Sequence, residues 1–449
     1  MNKKLFASLL AAGLLFSGCG DKNSSDKNIH FEITKSDKPQ LTPIEIATAD
    51  DCGDTVVVEK DANAIRAFVS KSADDINKSP GSKGSSLDRI DWDNAPRINN
   101  QLDLVNHLKS RKFKLEPWAP VVFTDGYKPD LRELASRTAC WQLTYWNYGG
   151  DNQTTYMLFK MTVYPGERVA YAYLNNDTSF LNMDELVLYN VATEIVEEAN
   201  DFSGDNSTFP EIYKELSIHD EITDRTTYYT ENPQPSLSRF QTAIGALIDG
   251  KANCQGYTDA FYMLGTMCGF KVDKIFGTNH GMSGTHVWNT INFGDDRYYF
   301  VDVTWDDANF TFADGNEWNG YVYFNAPADV ASATHIWDNE YVPRGVYQNP
   351  DGRYFFYTQE FTNSDGELFG AHCRTAEDAL NYIAQRIATE HFETSWVCAP
   401  YDANYANDNA SVKYLSNLLN QYGWRGKFDI NVNPRGKYMF FTVDALPIT

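Results

Sequence analysis

One cysteine near the middle of the chain stands where a helix should begin, and this placement constrains the fold of the central region. The residues after Cys254 place apolar side chains such as Tyr257 and Leu264 at helical spacing, and Gly269 provides a stop. The pattern predicts a buried amphipathic helix with Cys254 at its N-terminus. At that end the backbone N–H groups and the helix dipole stabilise a thiolate, and the same amides can receive an oxyanion.

Two segments after this helix, 286–292 and 296–304, are rich in aromatic and β-branched residues and are separated by a short turn. This pattern predicts a β-hairpin. If the residues that flank the turn pair with each other, His286 lies opposite Asp302, where cross-strand Cβ atoms are roughly 5 Å apart. The sequence therefore predicts a contact between these two side chains, in which the carboxylate fixes the imidazole tautomer.

Each of these three residues also has a purely structural interpretation. Cys254 could be a small buried apolar residue, His286 a core histidine, and Asp302 the cap of a turn. Their conjunction favours a different interpretation, because a nucleophile, a base and a group that orients the base are the three parts of a thiol active site. A site of this kind that only binds and no longer turns over is a further alternative.

Three segments of the chain resemble the motifs of the bacterial transglutaminase-like superfamily: Gly-Lys-Ala-Asn-Cys-Gln-Gly-Tyr at 250–257, Thr-His-Val-Trp-Asn at 285–289 and Val-Asp-Val-Thr-Trp-Asp at 301–306. The resemblance extends over residues 212–340. It implies an α+β fold whose core has the papain-like cysteine-protease architecture, with the helix bearing Cys packed on an antiparallel sheet bearing His and Asp. It implies catalytic roles for Cys254, His286 and Asp302.

The resemblance also suggests a role for a tyrosine upstream of the cysteine. Tyr228 is a candidate to stabilise the oxyanion, since it matches the tyrosine of a Tyr-Asp pair in that family. Tyr229 stands where the aspartate of the pair is usual, so the polar role of that aspartate does not carry over to this chain.

The regions on either side of the core show the same order of predicted elements. The first has a helix from about 98, a strand at 121–123, a short helix or turn, and strands at 140–146, 155–163 and 168–174; the last has a helix at 375–389, a strand at 395–398, a helix at 409–421, and strands at 424–432 and 437–443. Between them we expect helices at 183–200, 209–225 and 236–249. The repeated order predicts two small α+β modules of common ancestry.

The N-terminus has the features of a bacterial lipoprotein signal. Two lysines precede an apolar run from Leu5 to Phe16, and Ser-Gly-Cys ends at Cys19. The run is shorter than the ~20 residues that span a bilayer, so we expect lipidation of Cys19 and attachment to the membrane through lipid alone, in the bacterial cell envelope. A plain signal peptide with an incidental cysteine is the alternative.

These observations divide the chain into five parts: a signal peptide at 1–19, a flexible tether at 20–87, an N-terminal α+β module at 88–180, a catalytic domain at 181–345 and a C-terminal α+β module at 346–449. The length of 449 residues agrees with about three globular domains.

The chain is strongly acidic, with a formal net charge of −23. This charge argues against nucleic acid and anionic membrane surfaces as partners, although it could serve solubility alone. Seven cysteines are present, and no CxxC pair or His-x-x-x-His cluster gives metal-ligand spacing. We therefore expect neither a metal nor a cofactor, and the sequence leaves the oligomeric state open.

The thiol site, the N-terminal signal and the resemblance together predict a surface-anchored thiol enzyme that transfers acyl groups from peptide or carboxamide bonds, with a protein or peptide as substrate. The residues do not decide whether water or an amine accepts the acyl group. The resemblance favours a cysteine peptidase or amidase, and a protein-crosslinking transglutaminase comes second. A non-catalytic surface module is the alternative from another class, because aromatic runs such as Tyr145–Tyr148 and Trp318–Phe324 could contact a polymer.

Overall fold

The computed structural model describes residues 56–59, 90–131, 134–204, 210–229, 238–280, 285–294, 297–307, 310–311, 317–318, 320–343, 361–362, 368–390, 394–435 and 438–447. The chain mixes helices and sheets, and the described residues form three main hydrophobic cores. No helix in this part of the chain is long and apolar enough to cross a membrane. The signal peptide, Cys19 and most of the tether lie outside the described residues.

The N-terminal module is built on a five-stranded sheet. Its strands are Val56–Glu59, Arg97–Ile98, Trp118–Phe123, Gln142–Gly150 and Thr155–Thr162, and its helices are Gln101–Phe113 and Leu134–Arg137. Leu104 and Leu108 of the longer helix pack into one core with Val121 and Phe159 of the sheet. Burial of this apolar stripe on one face of the sheet fixes the helix in place.

The C-terminal module repeats this topology. Its strands are Phe361–Thr362, Leu368–His372, Thr394–Pro400, Gly426–Arg435 and Tyr438–Pro447, and its helices are Ala376–Glu390 and Asp408–Gln421. The last four strands of each module share one pattern: the first of the four runs parallel to the second, the second pairs antiparallel with the fourth, and the fourth pairs antiparallel with the third. The remaining strand pairs differently in the two modules. The predicted common order of elements therefore corresponds to a common order of strands.

One predicted strand of the N-terminal module is wrong. The segment predicted as a strand at 168–174 lies in the helix Pro165–Asn175, with Pro165 in the first turn and Asn176 as a left-handed cap. Proline suits the first helical position because its missing N–H has no partner there in any case. Val169 and Ala172 are buried, so the apolar pattern here has the helical period rather than the strand period.

The central region contains the helices Met183–Gly204, Pro210–Arg225 and Cys254–Met267, with short helices at Val303–Asp306 and Ala328–Ala331. The helix predicted at 236–249 is instead broken into the 3₁₀ turn Arg239–Gln241 and the π-helical turn Gly245–Asp249. Gly245 explains this break, because a Cβ atom there would lie 2.3 Å from the carbonyl oxygen of Arg239. The chain folds back too tightly for one regular helix.

A four-stranded antiparallel sheet faces the helix Cys254–Met267. Its strands lie in the order Tyr299–Val301, Thr285–Asn292, Lys271–Asn279 and His335–Trp337. The hydroxyl of Thr258 donates to the carbonyl of Val287 at 3.0 Å, and the side-chain amide of Asn289 donates to the carbonyl of Thr258 at 3.2 Å. These bonds fix the helix on the sheet beside its central strands. Two short strand pairs complete the region. They join Thr227–Tyr228 with Lys251–Ala252 and Phe310–Thr311 with Glu317–Trp318.

The register of the predicted hairpin is wrong by two residues. Val301 pairs with Asn289, whereas the predicted register places it opposite Val287. The side chain of Asn292 closes the turn, since it accepts from the amide of Gly294 at 2.9 Å and donates to the carbonyl of Arg297 at 2.6 Å. The connection is therefore longer than the short turn assumed from sequence.

Candidate active site

Cys254 is the first residue of its helix and is fully buried. Asn253 caps the helix: its side-chain oxygen accepts from the amide of Gln255 at 3.1 Å, and its carbonyl accepts from the amide of Gly256 at 2.9 Å. The position expected for the nucleophile is thus present. The two amides are occupied by Asn253, so an oxyanion would have to compete for them.

The sulfur of Cys254 lies against the sheet. Cys254, Val287 and Phe276 form a small apolar cluster, and Val287 directly follows His286 in its strand. The central strand therefore carries the apolar surface that packs on the cysteine, next to the residue that bears the imidazole. Burial of this contact removes competing water, which strengthens electrostatic interactions inside the site.

His286 joins the cysteine to a carboxylate. Its Nε2 atom lies 2.6 Å from Oδ2 of Asp302. Burial lowers the pKa of His286, but the negative charge and hydrogen bond of Asp302 and the proximity of Cys254 raise it more, to about 10. Asp302 occupies Nε2, and Nδ1 has no hydrogen-bond partner among the described residues. The raised pKa favours the imidazolium form of His286.

Asp302 has a structural function as well as an electrostatic one. It is the N-cap of the short helix Val303–Asp306, and its Oδ1 atom accepts from the amide of Trp305 at 3.3 Å. Burial raises the pKa of Asp302, but the charge of His286 and the hydrogen bonds from His286 and His335 lower it more, to about 2. The carboxylate is therefore ionised at every pH at which the protein would work. The predicted contact with His286 is present despite the wrong register.

His335 is a part of the site that the sequence analysis did not assign. Its Nε2 atom lies 2.9 Å from the same Oδ2 atom of Asp302, and its Nδ1 atom lies 2.9 Å from the hydroxyl of Thr334. The hydroxyl of Tyr323 lies 2.7 Å from that of Thr334. The sequence could have offered only a weak signal for this residue, since the strand that carries it pairs with Lys271–Asn279 and not with the hairpin.

One group of side chains among the described residues could be considered as metal ligands. It consists of His286, Asp302 and His335, whose ligand atoms lie within 4.8 Å of one another. The distances do not suit a metal ion. Ligands held tetrahedrally by zinc lie about 3.3 Å apart, whereas both imidazole nitrogens are in direct hydrogen-bond contact with the carboxylate, at 2.6 and 2.9 Å. The arrangement is that of a shared hydrogen-bond acceptor.

Two side chains near the helix N-terminus could support an oxyanion. Tyr228 pairs with Ala252, two residues before the cysteine, and its ring stacks on Tyr257. Gln241 is 1% exposed, its Oε1 accepts from the amide of Ser238 at 2.8 Å, and its Nε2 has no hydrogen-bond partner among the described residues. The neighbouring carbonyl of Phe240 accepts from the amide of Asn253. Gln241 was not singled out from the sequence.

A buried charge cluster lies behind the Cys254 helix. The ammonium of Lys274 lies 2.7 Å from Asp259 and 2.9 Å from Glu167, and Lys112 of the N-terminal module lies 3.2 Å from Glu167. Asp259 also accepts from the amides of Gly166 and Ala243. The cluster ties the N-terminal module and the sheet to the helix that carries the cysteine.

A groove with a volume of about 300 Å³ lies between the N-terminal module and the sheet. Phe276, which packs on the cysteine, and Thr285, which precedes His286, line one side of it. Arg137 lines the other side, where it lies 3.0 Å from Asp338 and 4.1 Å from the ring centre of Tyr341. The groove therefore ends at the residues that surround the candidate site.

No family model and no curated protein matches the chain in sequence. Among solved structures, the chain is similar to a TGase (17% identity, TM-score 0.24, covering 47% of this chain and 59% of that one) and to a candidate cysteine protease from Cytophaga hutchinsonii (13%, 0.21, 42% and 64%). It is also similar to a candidate protease from Parabacteroides distasonis (7%, 0.20, 74% and 66%). The matched regions span less than two thirds of each of these proteins.

Proposed function

We propose that this chain is a thiol acyl-transfer enzyme that acts on peptide or carboxamide bonds, and that peptide or amide hydrolysis is its reaction. The observation that supports the proposal is the position of His286, which is bonded to Asp302 at 2.6 Å through Nε2, while its buried Nδ1 has no hydrogen-bond partner among the described residues. In the proposal this nitrogen acts on the buried Cys254, so that nucleophile, base and orienting carboxylate work together.

In the first step the thiolate of Cys254 attacks the carbonyl carbon of the substrate. The C–N bond then breaks, and the proton carried by His286 passes to the leaving amine, which leaves a thioester on the cysteine. In the second step His286 removes a proton from water, the hydroxide attacks the thioester, and the acid is released as the cysteine regains its thiolate. Asp302 stabilises the imidazolium in both steps.

The negative oxygen of each tetrahedral intermediate needs hydrogen-bond donors. Tyr228 and the side-chain amide of Gln241 are donors close to the helix N-terminus, and Gln241 supports this role because its Nε2 lacks an acceptor among the described residues. The groove that ends at Phe276 and Thr285 is the proposed approach for the substrate.

Crosslinking is the second candidate, and the burial of the sulfur favours it. Cys254 is 0% exposed, so a thioester formed there would be sheltered from bulk water long enough for an amine to react in its place. The binding-module alternative loses much of its motivation, because the aromatic side chains that suggested it include the buried residues Tyr145, Trp146, Tyr321, Tyr323 and Phe324.

Alkylation of individual cysteines by iodoacetamide tests the activated thiol. Cys140 and Cys398 are matched controls, because both are fully buried like Cys254 and burial raises the pKa of each thiol. Mass spectrometry should show Cys254 reacting first near neutral pH, and His286→Ala should remove its advantage. Equal rates at all three cysteines, unaffected by His286→Ala, would contradict the proposal.

The substrate and the fate of the acyl group can be found in one experiment. Envelope proteins incubated with the wild type and with Cys254→Ala are compared by mass spectrometry. New protein termini or deamidated glutamine side chains that require Cys254 support hydrolysis, whereas isopeptide-linked peptides support crosslinking. Identical samples from the two proteins would argue for a binding module.

The proposed location is the bacterial cell envelope, with lipidated Cys19 as the membrane anchor. An acyl chain on one residue buries roughly 0.8 kcal/mol per CH₂ group in the bilayer, enough for attachment when several chains act together. Cys19→Ala should therefore move the protein from the membrane fraction to the soluble fraction. Continued sedimentation with membranes after a salt wash would contradict lipid anchoring.

A further inference from the structure

The Oδ2 atom of Asp302 accepts from two imidazoles at once. Nε2 of His286 lies 2.6 Å from it and Nε2 of His335 lies 2.9 Å from it. All three side chains are at most 2% exposed. A carboxylate oxygen that serves two donors holds its negative charge more tightly than one that serves a single donor, since each bond to the charged form stabilises it.

The surroundings of His335 favour one tautomer. The hydroxyl of Thr334 lies 2.9 Å from Nδ1 of the ring, and the hydroxyl of Tyr323 lies 2.7 Å from that of Thr334. If Tyr323 donates to Thr334 and Thr334 donates to Nδ1, every hydrogen atom in the chain has an acceptor, and Nε2–H is left to donate to Asp302. A second proton on the ring would require the hydroxyl of Thr334 to accept from Nδ1–H and to donate instead to the carbonyl of Ala331, at the longer distance of 3.4 Å.

Charge leads to the same protonation state. Burial lowers the pKa of His335 and the imidazolium of His286 lowers it further, while Asp302 opposes both. The rings of His335 and His286 are 5.4 Å apart, so two positive rings would repel each other across one carboxylate. A neutral His335 avoids this repulsion and still supplies a hydrogen bond.

We propose that His335 is a positioning residue, a permanently neutral imidazole that donates from Nε2 to Asp302. This bond holds the carboxylate against His286 and limits how strongly the carboxylate attracts the proton of His286. This role rests on the proposed function, because it matters only if His286 must release its proton to a leaving amine. A carboxylate without the second donor would bind that proton more tightly and make His286 a weaker acid.

The tautomer can be measured in the wild-type protein. The full chain labelled with ¹⁵N-histidine gives ring nitrogen shifts that distinguish Nε2–H, Nδ1–H and doubly protonated rings. We expect His335, assigned by comparison with His335→Gln, to carry a proton on Nε2 alone from pH 6 to pH 9. A doubly protonated ring at neutral pH, or the Nδ1–H tautomer, would overturn the proposal.

Two variants then test the function of the bond. His335→Phe keeps a ring and removes the donor, whereas the side-chain amide of His335→Gln can replace Nε2–H. We expect the midpoint of the ¹⁵N titration of His286 to rise by about one pH unit in His335→Phe, because one charge-assisted hydrogen bond is lost. In His335→Gln the midpoint should return close to the wild-type value. Turnover should be about tenfold slower in His335→Phe and restored in His335→Gln.

A merely structural His335 would give a different result. His335→Phe would then unfold or would leave the His286 titration where it is in the wild type, and His335→Gln would behave no better. If His335→Phe does not fold, His335→Asn, whose amide is too short to reach Asp302, takes its place. Failure of the proposed function is recognised separately, by alkylation of Cys254 that does not respond to His286→Ala while the tautomer of His335 is as expected.

Discussion

Asp302 reaches His286 from the cap of a short helix rather than from a paired strand. The 2.6 Å bond between its Oδ2 and Nε2 of the imidazole uses one carboxylate oxygen, while Oδ1 accepts from the amide of Trp305. The cap position of Asp302 therefore fixes where its carboxylate charge lies relative to His286. A change at this residue can be designed to remove the charge and keep the cap.

Asp302→Asn should do this, because Asn and Asp are about equally good N-caps. The amide has one accepting oxygen where the carboxylate has two, and its other end presents N–H groups, so His286 loses its charged partner and its selected tautomer. Turnover should fall by about three to four orders of magnitude with little loss of stability. Asp302→Ala, which also removes the cap, should lose a further ~1 kcal/mol in urea unfolding. Unfolding of the Asn variant at ordinary temperature would show that Asp302 is mainly structural.

Chelation should leave the site unchanged. Since His286 and His335 both contact Asp302 directly, at 2.6 and 2.9 Å, an ion would have to break both hydrogen bonds to enter. Incubation with EDTA should therefore not alter the alkylation rate of Cys254 or the melting temperature. A lower melting temperature that zinc restores would instead identify the two imidazoles and the carboxylate as metal ligands.

The local parts of the site could be predicted from the sequence because they depend on neighbouring residues. The helix expected after Cys254 spans Cys254–Met267, and Gly269 has the positive φ of 91° that a helix stop favours. The contact of His286 with Asp302 followed from the hairpin pattern even though the register did not, because an offset of two residues keeps both side chains on the same face of the sheet. The turn sequence alone does not reveal that Asn292 closes a longer loop.

The remaining parts depend on contacts between distant segments. His335 reaches Asp302 because its strand pairs with Lys271–Asn279, which follows the helix rather than the hairpin. Glu167 lies between two strands predicted at 155–163 and 168–174, and its partner Lys274 lies 107 residues along the chain. No local periodicity indicates that these charges meet in a buried cluster, so the tertiary fold had to supply this information.

A second buried group of ionisable residues lies behind the site. Glu215 is 0% exposed, and its Oε2 accepts from the side-chain amide of Asn325 at 2.6 Å. Burial raises the pKa of Glu215 to about 8, against the opposing effects of Asn325 and His219. Its neighbours titrate too: the pKa of Asp306 is raised to about 6 by burial, and that of His219 to about 10 by Asp220 and Asp306 against the effect of burial.

Glu215→Gln should flatten the pH dependence of stability. Between the ordinary pKa of the unfolded chain, 4.5, and the folded value of about 8, the native state binds one proton that the unfolded state has lost. Stability therefore falls as the pH rises through this window, by up to about 1.4 kcal/mol per pH unit. Glutamine stays neutral and removes this contribution. Melting temperatures at pH 5, 6.5 and 8 should converge in the variant.

The exposed Glu197 of the helix Met183–Gly204 provides the control. Glu197→Gln should leave the slope of the wild type unchanged, since the side chain of Glu197 is exposed to solvent in the folded protein. Asp306 and His219 also make the stability fall as the pH rises, over neighbouring pH ranges. We therefore expect a shallower slope in Glu215→Gln rather than a flat one. An unchanged slope would mean that Glu215 is ionised in the native protein.

Lys274→Met should be strongly destabilising. The ammonium of Lys274 lies 3.7 Å from the ring centre of Tyr164 and is 2% exposed, and its removal leaves Asp259 and Glu167 buried with Lys112 as the remaining cation of the cluster. Loss of one partner from a buried ion pair costs roughly 3–5 kcal/mol, because the other charge stays buried and uncompensated. Arg225→Met, which breaks the more exposed pair with Glu221, should cost at most about 1 kcal/mol.

The cost of Lys274→Met should also depend on pH. Without the ammonium, the pKa values of the two carboxyl groups rise, so protonation at low pH relieves the uncompensated charge. The difference in unfolding free energy between wild type and Lys274→Met, measured in urea, should therefore be larger at pH 8 than at pH 5. Lys274→Met combined with Glu167→Gln should recover part of the loss at pH 8. A pH-independent cost as small as that of Arg225→Met would show that the cluster does not anchor the Cys254 helix.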